Sequence, residues 1–174
     1  KEEMKRRLYA DVEFLTSIKP ARNHSNISSL NKAADYIQKE FKALKCATAV
    51  QKFIVDGKEY KNIVASFGTG NKPRIIVGAH YDVAGNQPGA DDNASAVAGL
   101  LELARMLDKY KNELKYQVDL VAYSLEEPPH FATQDMGSAV HAKSLKEKKV
   151  NVKAMICLEM IGYFSDRPNS QNFP

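Results

Sequence analysis

Short apolar runs alternate with helical patterns in the second half of the chain, and this order restricts the possible folds. Three apolar runs read "RIIVGAHYD" (74–82), "YQVDLVAYS" (116–124) and "VKAMICLEMIGYF" (152–164). Runs of this kind are typical of strands buried on both faces of a sheet. Between them, Asn93 to Lys111 and "MGSAVHAKSLKEKK" (136–149) repeat apolar residues at helical spacing. The order strand, helix, strand, helix, strand predicts a largely parallel sheet with helices on its faces.

The first part of the chain predicts two helices and a hairpin. Apolar residues recur at helical spacing from Glu2 to about Ile18, and a second helical pattern starts at Asn26 or Ser28. From Thr48 the apolar period changes to two, and Asp56-Gly57 is the turn signal of a β-hairpin. We therefore expect helices to precede the first strands.

Composition excludes several classes of protein. With 174 residues, 44% of them hydrophobic, we expect one α/β domain over residues 1–174. The net charge of +4 comes from scattered lysines with no basic stripe among aromatic residues, so nucleic acid is not an expected partner. No apolar stretch reaches the roughly 18 residues of a transmembrane segment. Cys46 and Cys157 could pair, but their apolar contexts favour two core thiols.

Polar and acidic residues follow each of the three predicted central strands. His80 and Asp82 end the first strand, Glu126-Glu127 end the second, and Glu159 ends the third. Asp91-Asp92 lie in the loop after the first strand. Ligands of such sheets bind in the crevice beyond the carboxyl ends of the strands. We therefore expect these side chains to converge on one rim of the sheet.

Each of these residues has an ordinary structural explanation when it is taken alone. His80 would be a hydrogen-bonded structural histidine, Asp91 or Asp92 would cap the following helix, and Glu126-Glu127 would lie in a solvated turn. Glu159 is harder to explain, because it interrupts an apolar run and is expected to be mostly buried. The joint occurrence at strand ends favours a functional site.

A divalent metal would account for such a cluster. Carboxylates buried together repel one another unless protons or cations neutralise them. Imidazole nitrogen and carboxylate oxygen suit zinc, and two zinc ions about 3.5 Å apart are a known hydrolase arrangement. In the His80-x-Asp82 pair, a carboxylate can orient a ligating imidazole. In Glu126-Glu127, one side chain can bind metal while the other acts as a general base.

Four stretches resemble a known family. "GAHYD", "GADDNASA", "YSLEEPP" followed by "MGSAVHAKSL", and "ICLEMIGYF" occur in the order and approximate spacing of the zinc-dependent aminopeptidases, metallopeptidase family twenty-eight. The chain resembles this family from about Ile63 to Pro174. The resemblance implies the zinc-exopeptidase (phosphorylase/hydrolase-like) fold, a three-layer, mostly parallel mixed sheet with helices on both faces. It also implies a hydrolase that removes N-terminal residues, with peptide or protein N-termini as substrates.

The resemblance assigns roles to particular side chains. It implies that His80 binds one zinc and that Asp82 orients His80. It implies that Asp92 is the bridging ligand, that Glu126 is the general base and that Glu127 binds the second zinc. Asp91 becomes a structural neighbour. The family's next metal carboxylate is usually Asp, and Glu159, one methylene longer, takes that position as a metal ligand here.

One family ligand has no counterpart in the sequence. The family's fifth ligand is a histidine well downstream of "EMIGYF", and this sequence has no histidine after His141. Neither His130 nor His141 matches that position. We therefore expect the chain to be an N-terminal portion of a family domain, with the C-terminal part missing, and the portion by itself to be inactive.

Two alternatives and one expectation about location remain at this point. A glutaminyl-peptide cyclase shares the paired-glutamate pattern, although "GADDNASA" matches it less well and the chain has no Trp. A non-catalytic homologue that serves as a binding domain is the other alternative. The family resemblance, and a start at Lys1 that suggests processing, favour a secreted or periplasmic protein. The sequence does not indicate an oligomeric state.

Overall fold

A computed structural model describes residues 1–68 and 72–170 of the protein. Residues 69–71 and 171–174 of the expected domain lie outside the described residues. The described residues form four α-helices and five β-strands, which are α1 Glu2–Ser17, α2 Ile27–Lys42, β1 Ala47–Val55, β2 Lys58–Phe67, β3 Arg74–His80, α3 Ala96–Tyr110, β4 Gln117–Tyr123, α4 Gly137–Glu147 and β5 Val152–Cys157.

The five strands form one mixed sheet in the order β1-β2-β4-β3-β5. β1 pairs antiparallel with β2, and β2 pairs antiparallel with β4. β3 pairs parallel with both β4 and β5. The expected parallel arrangement therefore holds for the three strands whose ends carry the candidate site, and the hairpin extends the sheet in the antiparallel sense. The mixed sheet with helices is confirmed.

The first two strands form the predicted hairpin. Val55 pairs with Lys58 across a two-residue turn. Asp56 and Gly57 both have positive φ, 49° and 75°, as a turn matched to the right-handed twist of a hairpin requires. Aspartate and glycine are among the residues that adopt this conformation at least cost, which is why the turn could be predicted.

Helices cover both faces of the sheet. α1, α2 and α3 contribute apolar side chains to the larger core, including Leu15, Phe41 and Leu100, each fully buried. On the other face, Leu145 of α4 packs against a smaller cluster around Val121. No helix among the described residues combines the length and the apolar character that a membrane span requires.

Helix α3 begins later than the sequence predicted. Asp92 and Asn93 have non-helical backbone angles inside an irregular turn, Ala90–Ser95, and the regular helix starts at Ala96 instead of Asn93. The peptide bond between Asp92 and Asn93 is cis. Because of this irregular turn, the side chains of Asp92 and Asn93 have different partners. Asp92 lies near His80, and Asn93 contacts Leu158.

Strand β5 differs from its prediction. The predicted strand ran to Phe164, whereas β5 ends at Cys157, and all six of its residues are exposed. The core-thiol interpretation is therefore wrong for Cys157, while Cys46 is half-buried against the core; both thiols are free. β5 is the edge strand of the described sheet, and an apolar run does not reveal which strand takes the edge.

Candidate metal centre

The candidate site lies where the three parallel strands end. His80 is the last residue of β3, Glu126 and Glu127 follow β4, and Glu159 follows β5. Asp92 reaches the same rim from the irregular turn before α3. Ligand atoms within 4.8 Å of one another form two sets: His80, Glu126 and Glu127, and His80, Asp92 and Glu159.

His80 is the centre of the site. Its side chain is 3% exposed, and its Nδ1 lies 3.1 Å from the main-chain oxygen of Asp82. Its Nε2 lies 3.2 Å from Asp92 Oδ1, 3.2 Å from Glu159 Oε1 and 3.6 Å from Glu126 Oε2. With Nδ1–H directed to the main chain, Nε2 is the nitrogen that can bind a metal among these carboxylates.

Asp82 holds the paired glutamates in place. It is fully buried, and its Oδ1 accepts the main-chain N–H of Glu126 at 3.1 Å while its Oδ2 accepts that of Glu127 at 3.0 Å. The same carboxylate lies 3.4 Å from His80 Nδ1. Asp82 thus contacts both the imidazole and the backbone of the glutamate pair, and the second contact could not be read from the sequence.

Three carboxyl groups of the site have raised pKa values. Burial, then the charge of Asp92, raise the pKa of Glu127 to about 7. Burial also raises the pKa of Asp92 and of Glu126. Burial alone would lower the pKa of His80, but hydrogen bonds to Asp82 and Glu159 outweigh it and raise that pKa to about 11. The site is therefore one in which a cation can replace protons.

Two buried oxygens support a metal site independently. Asp92 Oδ1 and Glu127 Oε1 are buried and form no hydrogen bond within the part of the chain that the structure describes. Asp92 Oδ1 lies close to His80 Nε2, but the imidazole is directed to Glu159 instead. Buried acceptors without donors are costly unless a cation or solvent meets them. One imidazole with several carboxylates is a donor set that zinc accepts, so the residues fit the metal.

The remaining acidic residues divide between the site and its support. The prediction that Glu159 is mostly buried was wrong, because its side chain is 43% exposed. Glu159 lies beyond the end of β5, and its side chain contacts His80. The apolar residues next to it in the sequence therefore do not make it buried. Asp91 does not contact His80; its Oδ1 accepts the main-chain N–H of Gly162 at 2.8 Å.

Arg22 supports the site and was missed by the sequence interpretation. Its guanidinium, 2% exposed, donates to four main-chain oxygens, those of Tyr81 at 2.8 Å, Leu15 at 2.9 Å, Pro88 at 2.7 Å and Gly89 at 2.8 Å. Burial lowers its pKa to about 10. Arg22 therefore fixes the loop between His80 and Asp92. A single arginine in a loop carries no signal of such partners in the sequence.

An open cavity adjoins the site on one side of the sheet. Its volume is about 690 Å³, and its walls include His80, Glu126 and Glu159. Its other walls are largely apolar, with Leu145 of α4 and Met155 of β5 among them. The side chains of Glu126 and Glu159 are therefore accessible from solvent through this cavity.

Sequence comparisons place this geometry in a family. The model described as Peptidase family M28 matches residues 62–173. A protein of Escherichia coli (strain K12) named "Uncharacterized protein YfbL" is 48% identical over 171 residues, which cover 94% of this chain and 51% of YfbL. Aminopeptidase YwaD of Bacillus subtilis is 31% identical over 88 residues, covering 51% of this chain and 18% of YwaD. The chain thus spans about half the length of YfbL, and its match to YwaD covers a smaller part of that protein.

Solved structures share the fold. A Zn-dependent exopeptidase from Parabacteroides distasonis superposes with a TM-score of 0.71 at 25% identity, covering 89% of this chain and 61% of that one. Glutaminyl cyclases share the fold at 21% to 24% identity, with TM-scores of 0.71 to 0.74. The predicted family is confirmed, and the chain belongs to peptidase family M28, a family of metallopeptidases with the zinc-exopeptidase fold.

Proposed function

We propose that the protein is a zinc aminopeptidase that removes N-terminal residues from peptides. The observation that carries the proposal is the position of His80 Nε2, 3.2 Å from both Asp92 Oδ1 and Glu159 Oε1. Three ligand atoms from three separate segments meet there, and the nearby Oε1 of Glu127 is buried with no hydrogen-bond partner among the described residues.

The proposed site holds two zinc ions. His80, Asp92 and Glu159 would hold one zinc, and Asp92 and Glu127 would contribute to the other, with Asp92 as the bridge. When bound, zinc supplies a Lewis acid for the scissile carbonyl and lowers the pKa of a water molecule. Asp92 is suited to bridging because its charge acts on Glu127, whose pKa it helps to raise, while its Oδ1 lies 3.2 Å from His80 Nε2 and forms no hydrogen bond among the described residues.

Glu126 is the proposed general base. It takes the proton of the attacking water and returns it to the leaving amine. Burial raises the pKa of Glu126, which brings this carboxyl closer to the range in which a group can both accept and donate a proton. The hydrogen bond from its main-chain N–H to Asp82 fixes its backbone beside Glu127. Neighbouring side chains can therefore serve as base and ligand.

The charge of the site supports a preference for free N-termini. Four carboxyl groups, those of Asp92, Glu126, Glu127 and Glu159, surround a single imidazole. A cationic α-amine is attracted to such a group, whereas a substrate carboxylate is repelled. This electrostatic preference favours an aminopeptidase over a carboxypeptidase.

Peptides that differ only at the N-terminus test the proposal. With the full-length protein and zinc present, we expect release of the first residue from a peptide with a free α-amine and no release from its N-acetylated form, followed by mass spectrometry. A third peptide with N-terminal Gln tests the cyclase alternative. Equal cleavage of the acetylated peptide, or cyclisation of the Gln peptide without hydrolysis, would contradict the proposal. Zinc binding with no reaction on any peptide would favour a non-catalytic homologue.

A further inference from the structure

Asn93 contacts the backbone on both sides of Glu159. Its side chain is fully buried. Its Nδ2 donates to the main-chain oxygen of Leu158 at 3.1 Å, and its Oδ1 accepts the main-chain N–H of Met160 at 3.1 Å. The two bonds form one clamp around the residue between them, and nothing in the proposed mechanism uses this amide directly.

The clamp replaces a strand partner. The main-chain N–H of Leu158 still bonds to Gly78 of β3 at 2.8 Å, but β5 has already ended at Cys157. Beyond that point the Asn93 amide offers one donor and one acceptor, as a neighbouring strand would. Burying an amide is costly unless both its N–H and its oxygen form hydrogen bonds. The contact therefore fixes the segment around Asn93 against the segment around Glu159.

The same turn also supplies a metal ligand. Asp92, directly before Asn93, directs its Oδ1 to within 3.2 Å of His80 Nε2. Asp91, on the other side, accepts the main-chain N–H of Gly162 at 2.8 Å. The residues that flank Asp92 therefore hold the segment that carries Glu159. A shift of either segment would separate Asp92 from Glu159.

We propose that Asn93 is a positioning residue that sets Glu159 against Asp92 and His80 and thereby determines zinc affinity. Glu159 needs such support because its side chain is 43% exposed and lies past Cys157, the last residue of β5. The inference rests on the zinc site of the proposed function. It adds a residue that touches neither metal nor substrate and acts through the backbone of a ligand.

A double-mutant cycle tests whether Asn93 acts through Glu159. Zinc affinity is measured by competition with a chromophoric chelator for the wild type, Asn93→Ala, Glu159→Ala and the double variant. We expect Asn93→Ala to weaken zinc binding about 10-fold to 100-fold, as for other residues that orient ligands. In the Glu159→Ala background the same change should weaken it no further, because the ligand being positioned is gone.

Asn62 provides a matched control for loss of stability. It too is fully buried, donating to the main-chain oxygen of Gly137 at 2.8 Å and accepting the N–H of Ser124 at 3.2 Å. Asn62→Ala should lower the melting temperature without the loss of zinc affinity expected of Asn93→Ala. If Asn93→Ala fails to fold, Asn93→Asp, which keeps the size and the acceptor, takes its place in the cycle.

Three results would overturn the inference. They are unchanged zinc affinity in the Asn93 variant, an equal loss in both Glu159 backgrounds, and an equal loss in Asn62→Ala. All three leave the zinc site of the wild type intact, so they are distinguishable from failure of the proposed function. A wild type that binds no zinc would overturn both.

Discussion

At the scale of single residues, the candidate site is a problem of excess negative charge. Several carboxylates face one imidazole, and burial, then the neighbouring carboxylates, raise the pKa values of Glu127, Glu126 and Asp92. Zinc would offset the negative charge and leave one carboxylate, Glu126, free to move a proton. The two glutamates are adjacent in the chain but have different proposed roles. Glu127 binds zinc, and Glu126 moves the proton.

Glu126→Gln separates proton transfer from metal binding. Glutamine has nearly the same shape but cannot accept a proton, so we expect hydrolysis to fall about a thousandfold with zinc content unchanged. Steady-state kinetics together with metal analysis would check this. Activity that survives the change would show that Glu126 is not the base, and lost zinc would show that it is a ligand.

The metal-free protein should become less stable as pH rises. Between the ordinary value of 4.5 for Glu127 and its raised pKa of about 7, the folded state binds more protons than the unfolded state. The same holds for His80 between 6.5 and its pKa of about 11. The free energy of unfolding therefore falls as pH rises through both windows. Denaturant unfolding in chelator from pH 5 to 9 measures this, and rising stability over that range would contradict the assignment.

At the scale of elements, the segment between β3 and α3 organises the site. Arg22 binds its main chain at Tyr81, Pro88 and Gly89. Gly89 then turns with φ of 61°, a conformation that favours glycine. A Cβ on Gly89 would meet the Val83 side chain and the main-chain oxygen of Asp92, and would approach Arg22 Nη2 to 3.0 Å.

Gly89→Ala and Gly57→Ala form a matched pair. Both glycines have positive φ, but a Cβ on Gly57 would meet nothing within 4 Å. We expect each change to cost about 1–2 kcal/mol for the backbone conformation, and Gly89→Ala to cost about 1–3 kcal/mol more through overpacking. Because Asp92 would shift, Gly89→Ala alone should also weaken zinc binding. Denaturant unfolding and chelator competition test this, and equal effects of the two variants would contradict it.

Local patterns in the sequence were sufficient for most elements and for the candidate residues. Helical spacing predicted α1 and α2 to within one or two residues, and Asp56-Gly57 predicted the hairpin. The exposure of β5 was not predictable, because apolar composition does not specify an edge position. The strand order, in which β4 lies between β2 and β3, was not predictable either, because it depends on how the crossover connections pack.

The supporting residues were missed for the same physical reason. Arg22 and Asn93 act through main-chain partners that lie far away in the chain, up to 67 residues for each. A sequence pattern shows which side chains can bind a metal, because the chemistry belongs to the residue type. It does not show which side chain holds a ligand's backbone, because that depends on contacts made only in the folded protein.

At the scale of the whole molecule, parallel pairing is what assembles the site. β3, β4 and β5 run in one direction, so their carboxyl ends bring His80, Glu126-Glu127 and Glu159 to one rim. The antiparallel hairpin widens the sheet sideways beyond β4. The chain spans about half the length of its relative YfbL, so the activity of the whole protein remains the proposal stated above.

Anomalous X-ray diffraction at the zinc edge, from crystals of the full-length protein grown with zinc, locates the metal ions. We expect one zinc within about 2.0–2.2 Å of His80 Nε2 and of carboxylate oxygens of Asp92 and Glu159. We expect a second zinc about 3.5 Å away, with Asp92 and Glu127 among its ligands. Anomalous peaks elsewhere in the molecule, with none beside His80, would contradict the proposed zinc site.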